Sequence, residues 1–103
     1  MKIFHIVSPK DWEEGTQEGV FRTTTLEKEG FIHCCKEDQI HFVQRNWFLS
    51  QNMLLLISID TDKLDNPPVF EKSEASEDAF PHIYGPINLD AVVDIQPLNE
   101  ESR

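Results

Sequence analysis

Apolar residues along the chain predict buried strands at three places. Residues 2–8 read KIFHIVS and are apolar on both sides of the pleat, as is typical of a central strand. GFIHCC over 30–35 and the nearly continuous apolar run MLLLISID over 53–60 predict two more strands. Within 80–98, the pattern predicts a strand, a turn around Gly85 and Pro86, and a last strand.

Capping residues predict two short helices in the first third of the chain. Ser8 is placed as an N-cap with Pro9 at the first helical position, and this helix should end by Gly19. A second helical turn is expected over 23–29, closed by Gly30 in a left-handed conformation.

Residues 36–51 have the apolar periodicity of an amphipathic helix. Ile40, Val43 and Trp47 form one stripe at helical spacing, and Phe42 lies off it. We therefore expect Trp47 to be buried and to anchor this helix on the core.

Strands outnumber helices and do not alternate with them in long βαβ units. Two prolines end the segment 61–68, which is therefore predicted to be a connector. A brief strand is predicted over 69–73, and an exposed loop is predicted over 73–80. The predicted fold class is α+β, a small single domain with a bent mixed sheet and two or three short helices. Residues 1–98 form this domain and 99–103 a polar C-terminal tail.

Composition and charge narrow the function classes. The 103 residues suit one domain, and nineteen acidic against nine basic residues give a net charge of -10. Nucleic acid and anionic membranes would repel such a chain, so neither is expected as a partner. No run approaches the ~18 apolar residues of a membrane span, and the charged N-terminal stretch does not match a signal peptide. We expect a soluble, cytoplasmic protein; a protein partner is not identified.

The two cysteines, Cys34 and Cys35, are adjacent. Neighbours on a strand point to opposite faces, so a disulfide between them is not expected, and free thiols suit a reducing cytosol. Neither a CxxC nor an HxxxH spacing is present, so no metal site is predicted.

Three of the four histidines lie within predicted strands. A buried imidazole costs free energy unless it has a partner, so His5, His33 and His82 are candidates for a shared site. Pleat parity places His33 on the face of Cys35, and His82 on the face of Tyr84. If the strands are neighbours, these side chains line one cleft; the alternative is three structural histidines bonded to the backbone.

Two further side chains could add chemistry to such a cleft. Glu71 would be a general acid or an electrostatic partner if it faces the cleft, and an exposed surface acid if it does not. Cys35 would be a nucleophile only beside a base that forms its thiolate, and a buried thiol is the commoner outcome.

The motifs IFHIVSPKDW, GFIHCC, LLLISID, VFE and FPHIYGPI, with Gln39, occur in an order that resembles the bacterial family called domain of unknown function 952. The resemblance runs from about Lys2 to Leu98. It implies a fold similar to that of ADP-ribosyltransferases, with a split, bent sheet around an NAD-binding cleft. It also implies that His5 holds the nicotinamide ribose, that the His33 strand forms a second wall, and that the His82 and Tyr84 strand completes the cleft.

This sequence departs from those patterns at three places. Toxin-type ADP-ribosyltransferases carry a catalytic glutamate late in the chain, whereas PHIYG has none, so Glu71 would have to stand in. Cys35 and Phe70 replace the serine or threonine and the tryptophan that the family often has.

The sequence and the resemblance together predict a protein that binds NAD or an ADP-ribose-type nucleotide, with transferase or glycohydrolase-like chemistry. His5 and His33 would orient the ribose, with Cys35 and Tyr84 also in contact with the ligand. His82 or Glu71 would be the catalytic acid or base. No cofactor is expected beyond NAD as substrate. The alternative is a non-catalytic module that binds a small metabolite or a protein.

Overall fold

The computed structural model describes residues 1–48, 53–73 and 76–98. Their helices are α1 (Pro9–Gly15), α2 (Thr24–Glu29) and α3 (Ile40–Trp47), the last preceded by a 3₁₀ turn over Glu37–Gln39. The strands are β1 (Lys2–Val7), β2 (Val20–Phe21), β3 (Ile32–His33), β4 (Leu54–Asp60), β5 (Val69–Ser73), β6 (Ser76–Ile83), β7 (Ile87–Asn88) and β8 (Val92–Leu98). The chain is a small α+β domain, as predicted.

Within the described residues the strands form three small antiparallel sheets, whereas the sequence predicted a bent mixed sheet. Their orders are β1-β4-β8, β2-β7 and β3-β6-β5. An antiparallel bridge between Phe4 and Cys35, with two N–H···O bonds of 2.8 Å, joins β1 to the segment after β3. This bridge brings the strand that bears His5 beside the strand that bears His33.

The capping signals for α1 and α2 are confirmed. The Ser8 hydroxyl accepts from the backbone N–H of Asp11 at 3.1 Å. Gly30 closes α2 with a φ of 89°, in the left-handed region that glycine adopts without a steric cost. Gly15 ends α1, and a Cβ there would lie 2.4 Å from the carbonyl oxygen of Arg22, so only glycine allows this approach to β2.

Two other predictions are wrong within the described residues. The exposed loop predicted over 73–80 is a strand from Ser76 onward, because β6 begins there and pairs with β5, and residues 74–75 lie outside the described residues. Backbone pairing in a hairpin forms this strand where the side-chain pattern is too polar to predict it. Trp47 is 52% exposed, whereas Phe42, placed off the stripe, is half-buried beside Phe80.

The strand predicted in GFIHCC and the helix predicted over 36–51 are both present, but each is shorter than predicted. GFIHCC contains only the two-residue strand β3, and the helix predicted over 36–51 is regular over Ile40–Trp47. The end of that helix at 49–51 and the tail at 99–103 lie outside the described residues. None of the described helices has the length and apolar character needed to cross a membrane.

The adjacent cysteines Cys34 and Cys35 belong to two different apolar clusters of the core. Cys34 packs in the larger cluster with Ile3, Ile57 and other buried residues, and Cys35 packs in a second cluster with Phe4 and Phe80. Both cysteines are buried free thiols, which agrees with the expected opposite directions of strand neighbours.

Candidate functional site

A large cleft of about 1260 Å³ opens between β1, β3, β6 and the helices. Its wall includes all three strand histidines, His5, His33 and His82, together with Cys35. Glu71 and Tyr84 are not part of that wall. Pockets for small molecules are typically ~300–1,000 Å³, so this cleft has room for a dinucleotide.

His5 is half-buried on β1, with its ring edge-on to Phe21 at a centroid distance of 5.3 Å. Its Nδ1 lies 2.6 Å from the carbonyl oxygen of His33, and because a carbonyl can only accept, Nδ1 carries the proton and donates it. Burial lowers the pKa of His5 from 6.5 to about 4 despite this hydrogen bond, which acts in the opposite direction. His5 is therefore neutral at pH 7.

The low pKa of His5 predicts that acid destabilises the fold. The unfolded chain takes up a proton at His5 near pH 6.5, but the folded chain does so only near pH 4. The free energy of unfolding should therefore fall as the pH is lowered through this window, by up to about 3 kcal/mol at ~1.36 kcal/mol per pKa unit. Urea unfolding across the window measures this loss.

The variant His5→Asn keeps a donor for the His33 carbonyl and should show a weaker pH dependence than the natural chain. His41→Asn, which replaces an exposed histidine on α3, is the matched control and should keep the natural dependence. An unchanged dependence in His5→Asn would contradict the assignment.

His33 lies at the surface rather than in the core, since its side chain is 52% exposed. Its Nε2 lies 3.0 Å from Oε1 of Glu29, one helical turn earlier in sequence at the end of α2. The expectation of a buried His33 is thus wrong, although the residue does line the cleft. Its exposure leaves it accessible to a ligand.

His82 is the most buried of the three histidines, at 7% exposure. It stands directly opposite His33 in the β3–β6 register, and the two rings meet edge to face at 5.3 Å. Phe31 stacks on the His82 ring with a centroid distance of 4.2 Å and an angle of 21°. Packing on its face and at its edge fixes the position of this imidazole.

The pairing of β5 with β6 brings the side chain of Glu71 next to that of His82. Oε1 of Glu71 lies 2.6 Å from Nδ1 of His82 and also accepts from the Tyr84 hydroxyl at 2.6 Å. These hydrogen bonds, that of Tyr84 first, hold the pKa of Glu71 below its usual value and keep it a carboxylate. The same bond raises the pKa of Tyr84. The structure thus brings together three of the predicted site residues.

Cys35 lines the cleft but is only 2% exposed. Burial is the main cause that raises its pKa to about 12, and the nearby Asp38 acts in the same direction. Cys35 is therefore a thiol at neutral pH, and a cysteine nucleophile is not available here. Within the described residues, no group of three His, Cys, Asp or Glu side chains could hold a metal ion.

The charged residues of the cleft wall could not be predicted from the sequence. The described part of the wall contains two basic residues, Arg22 and Lys72, and five acidic ones: Asp11, Glu14, Glu18, Glu27 and Glu29. Arg22 is already paired with Glu18 at 3.4 Å. The acids lie on α1, α2 and the segments beside them, and only the tertiary fold brings these segments to the histidines. The i,i+4 spacings of Glu29 with His33 and of Glu18 with Arg22 are the local signals that the sequence offers.

The family model for a protein of unknown function, DUF952, matches residues 6–95, which include His33, His82, Glu71 and Tyr84 but begin one residue after His5. The chain belongs to the DUF952 family. This confirms the family part of the resemblance seen in the sequence motifs.

Solved structures similar to this DUF952 chain share its fold. The crystal structure of protein CC0527 from Caulobacter crescentus has a TM-score of 0.85 at 26% identity, over 96% of this chain and 87% of that one. A double methionine variant of the same protein has a TM-score of 0.84 at 25% identity, with the same coverage. No curated protein matches this chain. This DUF952 chain therefore has the same fold as CC0527.

Proposed function

We propose that the cleft binds NAD or a related ADP-ribose-type nucleotide and that the protein cleaves or transfers its ADP-ribosyl group. The proposal includes an ADP-ribosyltransferase-like arrangement of the split sheet and a cytoplasmic setting. The observation that carries it is the convergence of His5, His33 and His82, from three separate strands, on one cleft with room for a dinucleotide.

The charges of the cleft suit the nicotinamide end of NAD. The oxidised ring is a cation, and the wall contains more carboxylates than basic groups, among them Glu27 and Glu29. Cleavage at the ribose carbon passes through a species with oxocarbenium character, which nearby carboxylates stabilise. His33 lies 3.0 Å from Glu29, and the histidines of the wall supply hydrogen bonds for the ribose hydroxyls.

The apolar part of the cleft wall suits an aromatic base. α3 and the residue after it contribute Val43, Trp47 and Phe48, and β6 contributes Phe80. Trp47 is 52% exposed, so its ring is available for stacking with an adenine. Arg22 and Lys72 are the basic groups of the wall and the candidates for contact with the pyrophosphate.

The acidic wall of the cleft should make the protein prefer NAD to its reduced form. The two differ by one positive charge on the nicotinamide ring, so the acidic wall should bind the oxidised form several-fold more tightly. Calorimetric titration of both, with ADP-ribose and nicotinamide alongside, measures this difference. Glu27→Gln in the wall should narrow the preference, whereas Asp94→Asn, an exposed change on β8 outside the wall, should leave it unchanged.

Failure of all four compounds to bind at millimolar concentration would overturn the proposed ligand. Equal affinity for the oxidised and reduced forms would overturn the role of the acidic wall. Binding of NAD with no release of nicotinamide would favour the alternative, a non-catalytic module that holds a small metabolite.

A further inference from the structure

The two nitrogens of His82 face different surroundings. Nδ1 is directed to Glu71, which lies outside the cleft wall, whereas the His82 side chain itself lines the cleft. Among the described residues, none makes a hydrogen bond to Nε2 of His82. The ring therefore has one nitrogen held by the protein and one available for a ligand.

Glu71 determines which of these nitrogens carries the proton. As a carboxylate it can only accept, so Nδ1 of neutral His82 is protonated and Nε2 keeps its lone pair. The Tyr84 hydroxyl donates to the same Oε1 at 2.6 Å and holds that oxygen toward His82. Free histidine in water favours the opposite tautomer, so this arrangement is imposed by the fold.

We propose that Nε2 of His82 is the general base of the cleft and that Glu71 and Tyr84 are positioning residues that fix its tautomer. A base oriented by a third group is the general requirement for activating a hydroxyl or a water molecule. This revises the two roles predicted from the sequence, because Tyr84 was expected to contact the ligand and Glu71 was a candidate acid. The assignment relies on the proposed function only for the identity of the substrate.

The proposed step balances for hydrolysis of NAD. Water attacks the ribose carbon that bears nicotinamide, and its proton passes to Nε2 of His82. The carbon–nitrogen bond breaks, its electron pair neutralises the ring nitrogen, and nicotinamide leaves uncharged. Glu71 stabilises the imidazolium that forms, and the proton is then released to solvent. A substrate hydroxyl in place of water gives ADP-ribosyl transfer by the same proton route.

The tautomer of His82 can be measured without any ligand. In protein labelled with ¹⁵N at histidine, the Nδ1 and Nε2 resonances of His82 report which nitrogen carries the proton above the pH at which the ring titrates. We expect protonated Nδ1 in the natural chain. Glu71→Leu removes the acceptor and should reverse the populated tautomer, whereas Glu71→Gln keeps an acceptor oxygen and should not.

Tyr84→Phe tests the second positioning residue. It retains the ring beside Phe31 and removes only the hydroxyl, so it should shift the tautomer in the same direction as Glu71→Leu but by less. Both changed side chains are partly exposed, at 39% for Glu71 and 49% for the whole residue at Tyr84, so the variants should fold.

The outcomes separate the base from its substrate. A proton on Nε2 in the natural chain, or an unchanged tautomer in Glu71→Leu, would overturn the assignment of the base even if NAD binds. An unchanged tautomer in Tyr84→Phe would overturn the role of Tyr84. The expected tautomers together with a failure to bind NAD would support the base and overturn only the proposed substrate.

Discussion

His82→Asn is expected to lower the rate of NAD cleavage by ~10²–10⁴-fold, the range typical of a lost general base. The asparagine amide can still donate to Glu71 from near the position of Nδ1, but it has no counterpart to Nε2. The loss should therefore appear in kcat, with a small effect on KM. Release of nicotinamide, followed by chromatography, measures both.

The control for this experiment is His41→Asn, which changes an exposed histidine on α3 outside the cleft wall and should leave the rate unchanged. A His82→Asn protein with the natural rate would show that the base lies elsewhere. A KM effect with unchanged kcat would reduce His82 to a ligand-binding residue.

Ile57→Ala is expected to destabilise the fold by about 2–5 kcal/mol, the range for truncating a fully buried aliphatic side chain. Ile57 is 0% exposed on the middle strand β4, between His5 of β1 and Ile95 of β8. Loss of its side chain leaves a cavity that flanking strands on both sides cannot easily close. Urea unfolding measures the change in the free energy of unfolding.

Ile95→Ala provides a matched control, because the same substitution is made on the neighbouring strand at a residue that is 44% exposed. It should cost less than about 1 kcal/mol. Similar losses for the two variants would contradict the placement of the core on β4. Since domains of this kind have a free energy of unfolding of only ~5–15 kcal/mol, Ile57→Ala should remove a large fraction of it.

Local signals in the sequence were sufficient for the elements that depend on local physics. Ser8 and Gly30 determine helix ends through their own hydrogen bonds and backbone angles, and β4 is apolar enough to be recognised as a strand. The N-terminal part of β6 could not be predicted, because it forms through backbone pairing with β5 across a polar segment.

The candidate site also has features that the local sequence specifies and features that depend on contacts between distant segments. Pleat parity placed His82 on the face of Tyr84, since alternation is a local property of strands, and both side chains do reach Glu71. That His33 lies opposite His82 depends on the two strands being neighbours, which the sequence left as a condition. The contact of Glu71 with His82 depends on the register that sets Val69 opposite His82, and no local signal specifies a register between separate strands. The acidic wall depends on the packing of α1 and α2 beside the sheet.

The pairing of β2 with β7 also bears on how quickly the chain can fold. Val20 pairs with Asn88, and on the neighbouring sheet Ile3 pairs with Ile59, so both ladders join residues far apart in sequence. The entropy of closing such long loops is lost before the contacts form, and a high contact order of this kind slows folding. Refolding should take milliseconds to seconds, and the local pairing of β5 with β6 should form before the long-range ladders that complete the cleft wall.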